Sequence, residues 1–261
     1  MTNIDFTKSE QYTLSIRLSA DGFSFSIHHS PNGDDCFFTA YEVNPSYSMT
    51  ANIKEMVATT QALNHSYRRI NILVDTHRFT PIPFELYEDE QTEEFFHYNF
   101  PEPSHNETVL CNILGKSNIA LLFGMDKHAH QLLSEQFPDA RIFACVSPLI
   151  EHFSTRSKEE NGKKLYVHFR KNLFEIFAFD NGKLLLTNSF RCKHTADKVY
   201  YLLYVWQQLG FSQEKDELWL SGNIEEKEEL LRELNKFLRK VELLPAQESL
   251  PFDIQTLMTC E

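Results

Sequence analysis

The chain has 261 residues, 42% of them hydrophobic and 24% charged, enough for one large domain or two of ordinary size with a proper core. A formal net charge of −12 argues against a protein that binds a nucleic-acid backbone, which needs clustered Lys and Arg. No apolar run approaches the roughly 20 residues that cross a bilayer, and the opening MTNIDFTKSEQYT lacks the apolar stretch of a signal peptide. The five cysteines are scattered singly without a C-x-x-C, as expected of a reduced, cytoplasmic chain.

In chain order, Tyr12 to Ser19 alternates, with Leu14, Ile16 and Leu18 on one face and Thr13, Ser15, Arg17 and Ser19 on the other. That is the period of a strand. Ala20-Asp21-Gly22 supplies a turn, Phe23 to His29 alternates back, Pro31-Asn32-Gly33-Asp34 turns again, and Cys36 to Val43 returns. The chain thus opens with an antiparallel meander. The spacing of Ile53, Met56, Val57 and Leu63 predicts a helix from Met49 to Asn64, and Arg69 to Asp75 is a strand apolar enough to be covered on both faces.

Thr76 to Pro83 reads as extended, and a short helix is expected near Gln91 to His97. A hairpin is expected over Thr108 to Leu114 and Asn118 to Gly124, then a helix capped by Asp126 and running to Phe137. Ala140 to Val146 is a strand and Pro148 to Phe153 begins a short helix. Thr155 to Lys163, polar and charged with a glycine, reads as a linker, so that residues 1–154 form one lobe and 164–261 another.

Beyond it, Leu165 to Phe169, Leu173 to Phe179 and Lys183 to Phe190 form a second meander, bent at Arg170-Lys171-Asn172 and at Asp180-Asn181-Gly182. A helix from His194 to Gln208, a strand at Leu218 to Leu220 closing in Ser221-Gly222, a helix from Ile224 to Arg239 and a strand from Val241 to Leu244 follow, before a tail containing Pro245 and Pro251. Strand, turn, strand, turn, strand, helix, strand occurs twice, over Tyr12–Asp75 and Leu165–Ser221. Order and spacing repeat while the residues do not, so the plan is one of duplicated βββαβ units in an α/β chain with mixed sheets.

Two such halves, the last strand closing in a small Ser-Gly pair before a helix, resemble the two-lobed, ribonuclease H-like superfold of the actin-like ATPases: actin, Hsp70, sugar kinases and pilus-assembly platform proteins. The whole chain further resembles an uncharacterised family of Bacteroidetes proteins carrying a domain of unknown function. The resemblance implies a nucleotide site built from the hairpin turns of both halves. There Gly lets backbone N–H groups approach phosphates, and an Asp two residues before that Gly holds Mg²⁺ or its waters. In Ile16-Arg17-Leu18-Ser19, Arg17 stands for the Asp and Ser19 for the Gly; shifting to Asp21-Gly22 moves the acid off the strand. In Val167-His168-Phe169-Arg170, His168 stands for the Asp and Arg170 for the Gly.

What survives of a nucleotide site is Ser221, Gly222 and Asn223, where active relatives have a glycine pair near adenosine; a plain turn is the alternative. Asp75, after a buried strand, reads as an acid or metal-holding group, or else as a solvated or capping aspartate. His28 and His29 point to opposite strand faces, and His128 and His130 diverge on a helix, so neither pair suits zinc. The segment Phe84 to Phe100 reads either as a partner-binding surface or as a helix with an aromatic inner face and an acidic outer one.

The resulting expectation is a catalytically silent actin-like module that binds a protein or peptide in the cleft between its lobes, with no nucleic acid and no membrane insertion. The alternative is an ATP- and Mg²⁺-dependent small-molecule kinase or ATPase with an atypical phosphate site.

Overall fold

The computed structural model describes residues 4–19, 22–29, 36–102, 104, 106–159, 162–245 and 250–260. The chain divides into two compact units. The first comprises Met1–Leu114, Asn118–Pro148 and Thr256–Glu261, and the second Gly115–Ser117 and Leu149–Gln255. The turns expected at Ala20-Asp21 and at Pro31 to Asp34 lie outside the described residues.

The first unit opens with β1 (Thr13–Ser19), β2 (Gly22–His28) and β3 (Cys36–Tyr41), an antiparallel meander in which Arg17 faces Ser24 and Phe25 faces Thr39. Helix α1 (Met49–Thr59) is capped by the Ser48 hydroxyl and leads to β4 (Arg69–Val74), which runs parallel to β1. The single helix expected from Met49 to Asn64 is broken at Thr60, whose extended backbone (φ −105°, ψ 96°) hands over to a separate 3₁₀ turn at Gln61–Asn64. After β4 comes an insertion: β5 (Phe79–Pro83), α2 (Thr92–Asn99), β6 (Glu107–Leu114) and β7 (Ile119–Asp126), its strands forming an antiparallel sheet ordered β5-β7-β6. Helix α3 (Lys127–Gln136), capped by Asp126 through the Ala129 N–H at 2.8 Å, then returns the chain to β8 (Arg141–Ala144). The five-stranded sheet is ordered β3-β2-β1-β4-β8.

Its core lies on one face. Leu14, Ile16 and Leu18, with Phe23, Phe25 and Ile27, pack against Ile53 and Met56 of α1 and Ala129 and Leu133 of α3. The alternate face is polar yet buried: Thr13, Ser15, Ser26 and Asn71 are each at most 1% exposed. Helix α4 (Val146–Lys158) runs further than the expected stop near Phe153, so Thr155 to Lys158 of the expected linker are helical. Lys163 already belongs to the next strand, and 160–161 lie outside the described residues. The polar composition marked the solvent face of a helix end rather than loose chain.

The second unit repeats the plan. Its meander is β9 (Lys163–Arg170), β10 (Leu173–Asp180) and β11 (Lys183–Arg191); α5 (Thr195–Gln208) leads to β12 (Glu217–Gly222), and α6 (Lys227–Leu234) to β13 (Val241–Leu243). Sheet order is β11-β10-β9-β12-β13, with β9-β10-β11 antiparallel and β9-β12-β13 parallel. Order, direction and helix placement match those of the first sheet element by element. Leu165, Val167 and Phe169 pack on Leu202, Val205 and Trp206 of α5 and Leu230 and Leu234 of α6. On the opposite face Phe153 of α4 stacks on Tyr166 at 4.5 Å and meets Phe177 at 5.2 Å.

Helix α6 ends well before the expected Arg239. Its last bonds tighten to the i→i+3 kind, Lys236 N–H to Glu233 and Phe237 N–H to Leu234, while Leu238 stays inside. The expected Pro-containing tail holds one more helix, α7 (Phe252–Cys260).

Candidate site at the paired strand ends

Parallel strands place their carboxyl ends side by side, and each sheet brings the sequence-predicted residues there. In the first, Leu18 of β1 lies beside Val74 of β4, and the Asp75 N–H continues the ladder to the Leu18 carbonyl at 2.9 Å. Asp75 accepts a hydrogen bond from the Ser19 hydroxyl at 2.7 Å and lies 3.8 Å from the Arg17 guanidinium. Arg17 and Ser19 share a strand face, so both reach the same carboxylate. Asp75 is therefore tied into its own strand end.

In the second sheet Phe169 of β9 lies beside Gly222 of β12, and the Asn223 N–H bonds the Phe169 carbonyl, also at 2.9 Å. This shared bond aligns the repeats residue by residue. Arg17 corresponds to His168, Ser19 to Arg170 and Asp75 to Asn223. The sequence reading gave Arg17 and His168 one role and Ser19 and Arg170 another, which is this correspondence.

His168 is 4% exposed, its ring 5.9 Å from that of Phe252. Its Nδ1 lies 3.2 Å from the Ser221 hydroxyl, which donates to the Val167 carbonyl at 3.0 Å. The Arg170 guanidinium meets Glu175 at 3.0 Å and Asp253 at 3.5 Å, all three side chains nearly buried. Glu175 stands opposite His168 on β10, on the face that carries Arg170.

Gly222 has φ +83°, and a Cβ there would lie 2.2 Å from the Phe169 carbonyl oxygen and 2.9 Å from the His168 ring. The close approach of β9 thus requires glycine without reference to any ligand. The bend between β9 and β10 is Lys171-Asn172, with Asn172 left-handed at φ +57°. Among the described residues, no three His, Cys, Asp or Glu side chains gather as a metal site needs.

The model of a protein family of unknown function, DUF3822, matches residues 1–241. The chain belongs to the DUF3822 family. A Bacteroides thetaiotaomicron protein with an actin-like ATPase fold and unknown function, solved at 1.85 Å, is 49% identical; the match covers 99% of this chain and 100% of that one, with a TM-score of 0.91. The fold of this DUF3822 protein is thus the actin-like ATPase fold. The PilM–PilN type IV pilus biogenesis complex is similar at 10% identity over 89% of this chain and 88% of that one, with a TM-score of 0.57, a likeness of fold alone. No curated protein matches the sequence.

Sequence reasoning did not single out Glu175, Asp253 or Phe252. A glutamate inside the otherwise apolar LFEIFAFD strand, diagonal across a two-residue bend from an arginine, was the available signal for the first. Asp253 and Phe252 sit on a helix the sequence did not reveal. The acidic, aromatic segment at 84–100 divides: Phe96 is fully buried and Phe95 and Phe100 pack beside it, while Phe84, Leu86 and Tyr98 face outward.

Proposed function

We propose that this DUF3822 protein is a non-catalytic actin-like module that binds a protein or peptide. One observation carries the reading: at the strand ends where phosphate binding needs bare backbone and a carboxylate for Mg²⁺, the chain places cationic or imidazole side chains that contact its own groups. Arg170 is not a spare cation for a phosphate. Drawing it from Glu175 and Asp253 would break a nearly buried set of ion pairs, at a penalty of about 3–5 kcal/mol. Ser221, Gly222 and Asn223 have roles within their own sheet: a carbonyl bond, a close strand approach and a ladder bond. That a fold neighbour is solved as the PilM–PilN complex supports a protein as the partner.

The reading includes a cytoplasmic location. Among the described residues no helix is long and apolar enough to cross a membrane. Burial holds the Cys36 thiol up at about 11 and raises those of Cys111 and Cys192, so these remain protonated thiols.

Thermal melting with and without Mg-ATP tests the proposal. A nucleotide at 100 times its dissociation constant adds about 2.7 kcal/mol, a rise of a few degrees. The expected outcome is no shift up to millimolar Mg-ATP, together with stoichiometric retention of one protein when the full chain is used as bait. A clear shift rejects the silent module in favour of an ATP-binding enzyme with an atypical phosphate site.

A further inference from the structure

The insertion between β4 and α3 gathers exposed apolar side chains that a protein surface usually scatters singly. Phe84, Leu86, Tyr98 and Ile113 are four of the ten large hydrophobic side chains exposed among the described residues, Leu86 at 64% and Tyr98 at 87%. The local structure links them. Ile113 lies in one row with Ala120 and Ile82 across the three-stranded sheet, and Ile82 packs beneath α2 against Phe96. Two residues beyond Ile82, the Phe84 N–H bonds the Asn118 carbonyl at 3.0 Å and opens the 3₁₀ turn Phe84–Leu86. Tyr87 ties that turn to the start of α2, its hydroxyl 2.9 Å from that of Thr92. Glu94 and Tyr98, one helical turn apart, share the outer face of α2.

Charge decides what can cover this surface. From Phe79 to Asn106 the sequence has seven carboxylates and no Lys or Arg. None of the seven forms an ion pair among the described residues. The helix start accounts for Glu93 and Glu94, but not for Glu85, Glu88 or Glu102. Arg78, just before the stretch, is held by Glu107 at 2.9 Å, and the next bases along the chain, Lys116 and Lys127, leave a large negative excess. Crowded like charges cost the folded chain stability, and a cation laid over them relieves that cost. A metal ion does not suit, since among the described residues no three carboxylates gather around one point. Nucleic acid and anionic lipid are repelled. A protein segment that carries Lys or Arg beside apolar side chains matches both the exposed hydrophobic groups and the charge around them.

We infer that the outer surface of this insertion docks a basic, amphipathic segment of a partner protein, its apolar side chains on Leu86 and Tyr98 and its Lys or Arg among Glu90, Glu93 and Glu94. The inference rests on the protein-binding reading and gives it a surface and a partner chemistry.

Fluorescence anisotropy of the full chain with the labelled peptide LKKLLKLLKKLLKL tests it. The controls are LEELLELLEELLEL, which reverses the charge, and SKKSSKSSKKSSKS, which removes the apolar face. The first peptide should bind, each control should bind roughly tenfold or more weakly, and added salt should weaken the binding. Glu90→Lys with Glu94→Lys should cost roughly tenfold in affinity. Glu10→Lys with Glu55→Lys, an equal change of net charge elsewhere on the same unit, should cost far less. Leu86→Ser with Tyr98→Ser should weaken binding roughly tenfold through the lost apolar contacts. All six positions are exposed, so the variants should melt as the parent does. The surface is ruled out if the basic peptide does not bind at about 1 mM, or if the acidic one binds as well. It is equally ruled out if both charge variants lose affinity alike, or if Leu86→Ser with Tyr98→Ser changes nothing. Any of these results removes this surface and leaves the silent module standing, whereas a melting shift with Mg-ATP removes the module itself.

Discussion

Gly222 shows how one residue can be read two ways until its neighbours are known. A glycine closing a strand before a helix resembles a nucleotide-side glycine, but here positive φ and the Phe169 carbonyl both demand it. Gly222→Ala should destabilise by about 3 kcal/mol or more, since strain and clash act together; chemical denaturation reads this directly. Arg170→Ala should lose about 3–5 kcal/mol by breaking the nearly buried ion pairs with Glu175 and Asp253. Replacing all three by apolar residues of like volume should recover most of that loss, which separates an unpaired-charge penalty from a packing one. His152 provides a pH signature. Burial, with Arg156 nearby, pushes its pKa below the ordinary 6.5. Above that value both folded and unfolded chains hold it neutral. As pH falls below it, the unfolded chain takes the proton first, so this contribution to stability is lost on acidification through the folded value. His152→Gln should flatten the decline of stability with acid below about pH 6.5, measured by urea denaturation across pH.

Strands and turns were the most readable elements, because period-2 patterning and turn chemistry are local. Asn181-Gly182 is such a case: both residues have positive φ, 49° and 84°, as a two-residue hairpin turn of the primed kind requires. The ends of helices were less readable, because they are set by what the next segment packs against. The α6 pattern continues past Leu234 while its backbone tightens, and the polar end of α4 looked like a linker. Helix α7 was missed altogether: nine residues with few charges do not stand out from a tail, although Pro251 before it and Asp253 in its first turn were weak start signals. The aromatic seam between α4 and the second sheet gives this level its prediction. Phe153→Ala removes a fully buried ring stacked on Tyr166 and should destabilise by about 3–5 kcal/mol, read as a lowered denaturation midpoint with an unchanged slope.

The two sheets share one strand order, and their strand ends align through a single equivalent backbone bond. Duplication is thus a property of topology here, with sequence free to diverge: the polar Thr-Ser-Arg-Ser face of β1 answers to Lys-Tyr-His-Arg on β9. The units differ in continuity. The second is one segment apart from Gly115–Ser117, whereas the first is assembled from three stretches and carries the β5-β7-β6 insertion. Residues 146–255, with their own five-stranded sheet and core, should therefore fold when expressed alone, giving near-ultraviolet dichroism and a cooperative melt. A fragment that melts without cooperativity would show that this core needs the rest of the chain.

Patterning along the chain established both meanders, the crossover helices, the repeated plan and the residues at the ends of the first strands, because each follows from short-range periodicity or from counting along a repeat. Folding supplied what distance in sequence hides. Glu175 and Asp253 converge on Arg170, His168 meets Ser221 across 53 positions, and Gly222 presses on a neighbouring carbonyl. These contacts join strands and helices far apart in the chain, and their geometry depends on register and packing that no local propensity encodes.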